Sequence, residues 1–240
     1  MTQPQLTTLQ KVSSDRLGRL SWLTALADDI RQGALPAFIL VALMVIAGLA
    51  EWQTGGPLAW GLSRQALSDG RWVTMLTHAV AHASPWHLFM NCSALIGLTV
   101  YLRPFLGFSL SGWARYGLVL AGAAGASAIA YILLHPSDGL PMVGASGAIC
   151  GLWGLAVRCD TETRFVKSLR SRDVLVGIRE FAISNLVLFG ALFLLARLEG
   201  GAGGLAWEAH LGGFLFGLLA APWLIKPAET TTVEAPAATS

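Results

Sequence analysis

Six stretches of this chain contain no Asp, Glu, Lys or Arg: 32–50, 72–102, 116–137, 139–157, 181–196 and 209–225. Most approach the ~20 residues that carry a helix across a bilayer, and the last two reach that length with their flanks. Only 12% of the residues are charged and 54% are hydrophobic, whereas a soluble domain carries about 25% charged residues. A water-soluble fold is therefore excluded. Inside lipid every backbone polar group has to be satisfied within its own segment, which leaves helices as the only use for runs of this length. The expectation is an all-α, polytopic membrane protein: a six-transmembrane-helix bundle over 33–225, a cytoplasmic segment 1–32 before it and a disordered cytoplasmic tail 226–240.

Charge placement orients the bundle. With the N-terminus inside, 13 of the 16 Lys and Arg residues fall on cytoplasmic segments, and only Arg64, Arg71 and Arg197 fall on the other side. That bias predicts two cytoplasmic termini, and no cleavable leader is expected, because the first apolar run begins after residue 32 and is long enough to span. Helices are expected at about 34–52, 85–101, 112–134, 146–158, 179–197 and 206–225. Arg103-Pro104 should close the second, and 159–178 should form a basic cytoplasmic loop. The connection 53–85 holds Trp60, Trp72, Gly55-Gly56-Pro57 and Asp69-Gly70, a composition suited to the membrane interface.

Polar side chains inside a membrane are costly and mark function by default. Ser146, in Gly144-Ala145-Ser146-Gly147, opens the fourth helix, where it can cap the first turn and sits at the positive end of the helix dipole. His210 lies in the first turn of the sixth helix, and His87 and Asn91 lie one turn apart on one face of the second. Each of these helices enters from the non-cytoplasmic side, so four chemically useful side chains reach one depth. His210 could serve Ser146 as general base, and His87, Asn91 and the Ser146 N–H could stabilise an oxyanion. Gly213 and Gly217 share the His210 face of their helix, opposite Gly147, Gly151 and Gly154, so close helix approach makes the contact reachable. On this reading Gly213 should reject bulk, and bulk at Gly212, rotated about 100° away along the helix, should have a milder effect. Each feature taken singly has a plainer use as a cap, a small-residue packing stripe or an interhelical hydrogen bond. Their shared depth is what argues for chemistry.

Other chemistries find little support. His78 and His82 repeat at i+4 without the glutamate of a zinc protease and suit structural hydrogen bonding in the connection. Cys92, Cys150 and Cys159 have no paired or metal-ligand spacing and read as small apolar residues. No metal site, cofactor or nucleic-acid partner is implied. A transporter would need acids embedded in the membrane or an internal repeat, and neither is expected.

Taken together, His87-Leu88-Phe89-Met90-Asn91, Gly144-Ala145-Ser146-Gly147 and His210-Leu211-Gly212-Gly213 with Gly217 resemble the HxxxN, GxSG and HxxGxxxG motifs of the rhomboid family of intramembrane serine proteases. Thr77, His78 and His82 are similar to the family's approach to its second helix. The likeness covers about 72–217 and has the spacing of the six-helix bacterial type. It implies a serine endopeptidase that cleaves in or next to transmembrane segments of membrane-protein substrates, in a bacterial inner membrane. Ser146 and His210 would be its catalytic dyad, His87 and Asn91 would support the oxyanion, and Gly144, Gly147, Gly213 and Gly217 would support helix packing. Departures are visible. Many members carry tyrosine four residues after the serine, stacked on the histidine, where this chain has Cys150. The family's Trp-Arg pair reads Val73-Thr74, and its Glu-x-Arg reads Tyr101-Leu102-Arg103. The alternative is an inactive rhomboid-like protein that binds transmembrane segments, although a binder has no need to keep a nucleophile.

Overall fold

A computed structural model of the chain describes residues 34–135, 140–198 and 206–226. The N-terminal segment 1–32, residues 136–139 of the expected loop before Ser146, the Gly-rich 199–204 and the tail from 227 onward, each assigned a role from sequence, lie outside the described residues. The described residues are helical, with two isolated bridges, Leu62 to Met142 and Cys159 to Val166, and no strand. The order is α1 (Ala34–Gln53), three short helices α2 (Gly56–Trp60), α3 (Arg64–Ser68) and α4 (Thr74–Thr77), then α5 (Pro85–Leu106), α6 (Leu110–Leu134), α7 (Ser146–Arg158), α8 (Arg172–Leu198) and α9 (Trp207–Leu224).

Four helices, α1, α5, α6 and α8, are long and apolar enough to cross a membrane. The α7 segment has only 13 residues and at 1.5 Å per residue extends about 20 Å, short of the ~30 Å hydrocarbon core. Helix α9 has 18 residues, but Glu208 and His210 dilute its apolar content.

Boundaries differ from expectation where local chemistry outweighs composition. Pro104 lies inside α5 and does not end it: the helix runs on to Leu106 and stops at Gly107, whose φ of 92° leaves the helical region. The ring of Pro104 removes one backbone donor on an exposed face of α5, a loss that membrane helices tolerate through local adjustment of the freed carbonyl. The basic 159–178 stretch is not wholly a loop. Arg172 begins α8, with Ser171 Oγ accepting the Val174 N–H at 3.4 Å. Ser84 caps α5 by accepting the His87 N–H at 3.1 Å, with Pro85 following as the first helical residue, the position where a missing N–H costs nothing.

Three helices make the core. Helix α9 packs against α7 and α6, which also pack against each other. Small residues allow this. A Cβ on Gly217 would land in the Gly151 carbonyl, and one on Gly154 would land in the Phe214 carbonyl. Backbones in van der Waals contact along such a stripe gain dispersion energy that lipid cannot replace. Helix α5 adds Leu88, Leu95 and Leu102 to the same core beside Ile149, Leu152 and Leu155.

The connection from α1 to α5 folds back onto the bundle as a buttress. Leu62 and Met142 exchange backbone hydrogen bonds of 2.9 and 2.8 Å. Arg64 donates to the Ile132 and Leu133 carbonyls at the end of α6, at 2.7 and 3.1 Å, and Tyr131 Oη donates to the Leu140 carbonyl. The chain entering α7 is thereby held from both sides. His78 and His82 take the structural part expected of them, with His78 Nδ1 at 2.9 Å from the Thr74 carbonyl and His82 Nδ1 at 3.0 Å from that of Val80. The three cysteines are unpaired, Cys150 and Cys159 being buried.

Among the described residues, two acids are buried within the protein. Glu51, in the last turn of α1, is fully buried and accepts the His82 backbone N–H at 2.7 Å. Glu208 is buried in the first turn of α9, 2.9 Å from His135 Nδ1. Both stand at helix ends, where the charge-free windows close, and each has a nearby donor.

Candidate active site

The approach to α7 is fixed first. Gly144 donates its N–H to the His78 carbonyl at 2.8 Å and has φ of 116°, a conformation that a side chain would strain. A second constraint acts on the same residue. A Cβ there would lie 2.8 Å from His87 Nε2 and 3.5 Å from Asn91 Nδ2, so the two α5 side chains converge on the backbone just before Ser146.

Ser146 is the first residue of α7, with Ala145 as its N-cap and no side-chain cap bond. The expected capping role of Ser146 is therefore corrected: Ala145 takes the N-cap position, and Ser146 Oγ has its partner on another helix. It lies 2.7 Å from Nε2 of His210, a short and well-formed contact by ordinary criteria. The first turn of α7 leaves its N–H groups free to face the same space.

Glycines set that distance. A Cβ on Gly213 would coincide with the Gly147 carbonyl oxygen and lie 2.8 Å from Ser127 Oγ, and a Cβ on Gly147 would strike the same Ser127 hydroxyl. Helices α6, α7 and α9 thus meet at Ser127, Gly147 and Gly213, about one turn from His210. Gly212 is not the more tolerant neighbour expected from its rotation about the helix. Its Cβ would lie 2.6 Å from the Ala126 carbonyl oxygen and 2.7 Å from Ala130 Cβ, because α9 is flanked by α6 on that side as well as by α7.

His210 is 5% exposed and Asn91 also 5%, while Ser146 and His87 are half-buried. The site is a recess with its nucleophile and one flanking imidazole at the open edge. The Asn91 amide nitrogen is buried without a hydrogen-bond partner. A buried orphan donor costs roughly 1–3 kcal/mol, and here it points into the space beside Ser146. The nearby His82 Nε2 is likewise buried without a partner, its ring edge-on to His87 with centroids 5.1 Å apart. His82 precedes the α5 span, and burial, reinforced by the neighbouring His87, pushes its pKa down to about 4.

One site residue escaped the sequence reading. Asn185 of α8 places its Oδ1 2.6 Å from His210 Nδ1 and donates from Nδ2 to the Phe181 carbonyl at 2.9 Å. In the sequence it is one asparagine in an apolar run, Ile183-Ser184-Asn185-Leu186, with no motif around it. The available signal was the cost of an amide in a membrane helix. Cys150, at the place of the expected tyrosine, is buried beside Val174, Phe181 and Phe214.

A hydroxyl on an imidazole nitrogen, with unpartnered donors alongside, can lose its proton to the ring while attacking an electrophilic carbon. Among the described residues no cluster of three or more His, Cys, Asp or Glu could hold a metal ion.

The family model described as Rhomboid domain matches residues 69–227, about two thirds of the chain. Three mycobacterial proteins, one from Mycobacterium bovis and two from strains of Mycobacterium tuberculosis, are 28% identical over 203 residues, covering 81% of this chain and 76% of each relative. All three are described only as uncharacterized.

Proposed function

The chain belongs to the rhomboid family, and from that premise we propose that it is an intramembrane serine endopeptidase acting on membrane proteins in or next to their transmembrane segments. The observation that carries this reading is the 2.7 Å contact between Ser146 Oγ and His210 Nε2, made beside the unpartnered amide nitrogen of Asn91.

In the proposed reaction Ser146 Oγ attacks the scissile carbonyl carbon as its proton passes to His210 Nε2. The negative charge that develops on the carbonyl oxygen is met by Asn91 Nδ2, His87 and the Ser146 N–H at the start of α7, where the helix dipole favours it. Collapse of the intermediate breaks the C–N bond, and the leaving amine takes the proton from Nε2. An acyl ester on Ser146 remains. A water then attacks this ester, giving one proton to His210, and Ser146 recovers that proton as the acid leaves. Every donor is fixed before the charge appears, which is where such sites gain most.

The same reading assigns six membrane crossings, with α7 and α9 completing the four longer spans, and cytoplasmic termini in a bacterial inner membrane. Support comes from the distribution of Lys and Arg. Lipid and transmembrane substrates are then its partners.

Labelling of the detergent-purified protein with a fluorophosphonate probe, alongside Ser146→Ala, tests the assignment. The parent should label covalently and the variant should not. A folded parent that stays unlabelled and leaves transmembrane substrates intact in liposomes would refute it, in favour of a protein that binds without cutting.

A further inference from the structure

An imidazole acting as base for a serine must be held with its reacting nitrogen unprotonated and facing the hydroxyl. The dyad alone does not do this, because a neutral histidine can carry its proton on either nitrogen. The tyrosine that the family resemblance leads one to expect against this ring is replaced by Cys150, a buried thiol too small to stack on it.

Asn185 supplies what is missing. Its amide has one donor end and one acceptor end, and their directions are set from outside the site. Nδ2 donates to the Phe181 carbonyl of the preceding turn, so Oδ1 is the end that faces His210 Nδ1 at 2.6 Å. An amide oxygen can only accept. The proton must therefore sit on Nδ1, and the Nε2 lone pair is left to receive the Ser146 hydroxyl proton at 2.7 Å. Donation therefore runs one way, from Ser146 to His210 to Asn185 to the Phe181 carbonyl, with every polarity fixed.

Asn185 also stands at a particular height on its helix. Below it, α8 is anchored: Phe181 stacks on Phe214 of α9 with centroids 3.8 Å apart and rings 11° from parallel, and Trp153 of α7 meets Phe181 edge-on at 5.4 Å. Val174 and Ile178 continue this contact toward the cytoplasmic end. Immediately above Asn185 the residues Leu186, Val187 and Leu188 are exposed, and α8 is the least buried of the four long spans. Among the described residues, the amide is thus the last attachment of α8 to the bundle before this exposed run.

We propose that Asn185 is a positioning residue that locks His210 as the Nδ1–H tautomer, filling from α8 the place a carboxylate takes in a Ser–His–Asp triad, so that the dyad is competent only while α8 is docked. A neutral amide suits this place, since a carboxylate here would bring an ionised group into the membrane. The inference rests on the reading of Ser146 and His210 as the reacting pair.

The test compares fluorophosphonate labelling rates of the parent, Asn185→Leu, Asn185→Asp and Ser146→Ala at matched thermal stability. Asn185→Leu keeps the volume and removes the acceptor, whereas Asn185→Asp keeps the acceptor. A misplaced base costs on the order of 10²-fold, so Asn185→Leu should fall by about that factor in labelling rate and in kcat, with KM little changed. Asn185→Asp should fall between it and the parent. Labelling of Asn185→Leu at the parental rate, or a leucine variant faster than the aspartate one, overturns the role of Asn185 while leaving the dyad intact. An unlabelled parent overturns both. A second measurement reads the parent protein itself and does not depend on the activity of any variant. In the ¹⁵N spectrum of histidine-labelled parent protein, with His210→Gln used for assignment, Nδ1 of His210 should appear protonated and Nε2 unprotonated. The opposite tautomer refutes the inference.

Discussion

Replacing Gly213 with alanine adds a single methyl group, yet the structure gives it nowhere to go. Its position overlaps the Gly147 carbonyl oxygen and lies 2.8 Å from both the carbonyl carbon of Gly147 and Ser127 Oγ. Carbon atoms pack at about 3.5–4.0 Å, so α9 must retreat from α7 by about 1 Å. No rotamer relieves this, because the obstacles are backbone and a serine held between two helices. His210 lies one turn away on the same helix and moves with it. The Oγ to Nε2 distance of 2.7 Å would open to about 3.5 Å, past the limit of a useful hydrogen bond. A displacement of this size costs about 10²-fold in rate, equivalent to about 2.7 kcal/mol in the barrier, and overpacking itself removes roughly 1–3 kcal/mol of stability. The assay is fluorophosphonate labelling and cleavage of a transmembrane substrate in liposomes, with thermal unfolding in detergent. Gly217→Ala meets the Gly151 carbonyl two turns from His210. It should lower the unfolding temperature comparably and labelling less. Parental activity and stability in Gly213→Ala would show that the α7–α9 contact does not set the dyad distance.

Asn91→Ala should slow turnover by on the order of 10²–10³-fold, as loss of one oxyanion donor does. Because it removes an orphan buried donor, it should leave the unfolding temperature unchanged or raised; undiminished activity in the double variant His87→Ala, Asn91→Ala would discard the oxyanion assignment. For His82, burial holds the folded pKa at about 4, below the ordinary 6.5, so the unfolded chain takes up the proton first as pH falls. Stability should be at its plateau above pH 6.5 and decline toward pH 4, with a slope of at most about 1.4 kcal/mol per pH unit. His82→Gln should flatten that decline when unfolding is followed across the window, and an unchanged profile would remove His82 as its source. A reporter fused after Ser240 should read cytoplasm and one inserted in 199–204 the opposite side; an extracytoplasmic C-terminus would overturn the six-crossing topology.

Legibility in the sequence followed the range of the interaction that fixes each feature. Helix α7 was readable to the residue, since Gly144 at its mouth and Arg158 at its end are local signals. The convergence of His87, Asn91, Ser146 and His210 was readable from shared depth, which depends only on span order. Pro104 misled because a proline inside a packed membrane helix need not end it, and the start of α8 was hidden by its basic composition. Gly212 misled for a different reason: one helical face can be assigned from spacing, but a helix enclosed on two sides has no free face, and only packing reveals the second neighbour. Asn185 was out of reach because its partner lies 25 positions away on another helix, and nothing local says which way α8 is turned.

The same enclosure explains how the molecule sustains groups that should weaken it. Asn91 Nδ2, Ser127 Oγ, His82 Nε2 and Glu51 Oε1 are all buried without partners, each costing roughly 1–3 kcal/mol if left dry. Arg103 Nε and Nη1 and Glu208 Oε2 are in the same condition elsewhere in the protein, but the first four are connected through shared neighbours. His82 meets both the Glu51 carboxylate and the His87 ring, Asn91 shares the Gly144 backbone with His87, and Ser127 sits at the junction of α6, α7 and α9. Asn91 and Ser127 adjoin Gly144 and Gly147, which flank Ser146 in the sequence, and His82 links Glu51 to the His87 ring. A hydrocarbon-lined recess would exclude the water that ester hydrolysis requires, whereas this one offers unpaired donors and acceptors to a few water molecules. On the proposed reading, the polar strain around Ser146 and the glycine contacts of α7 and α9 are two parts of one requirement. The first admits water to a nucleophile below the membrane surface, and the second keeps the helices from parting while it is there.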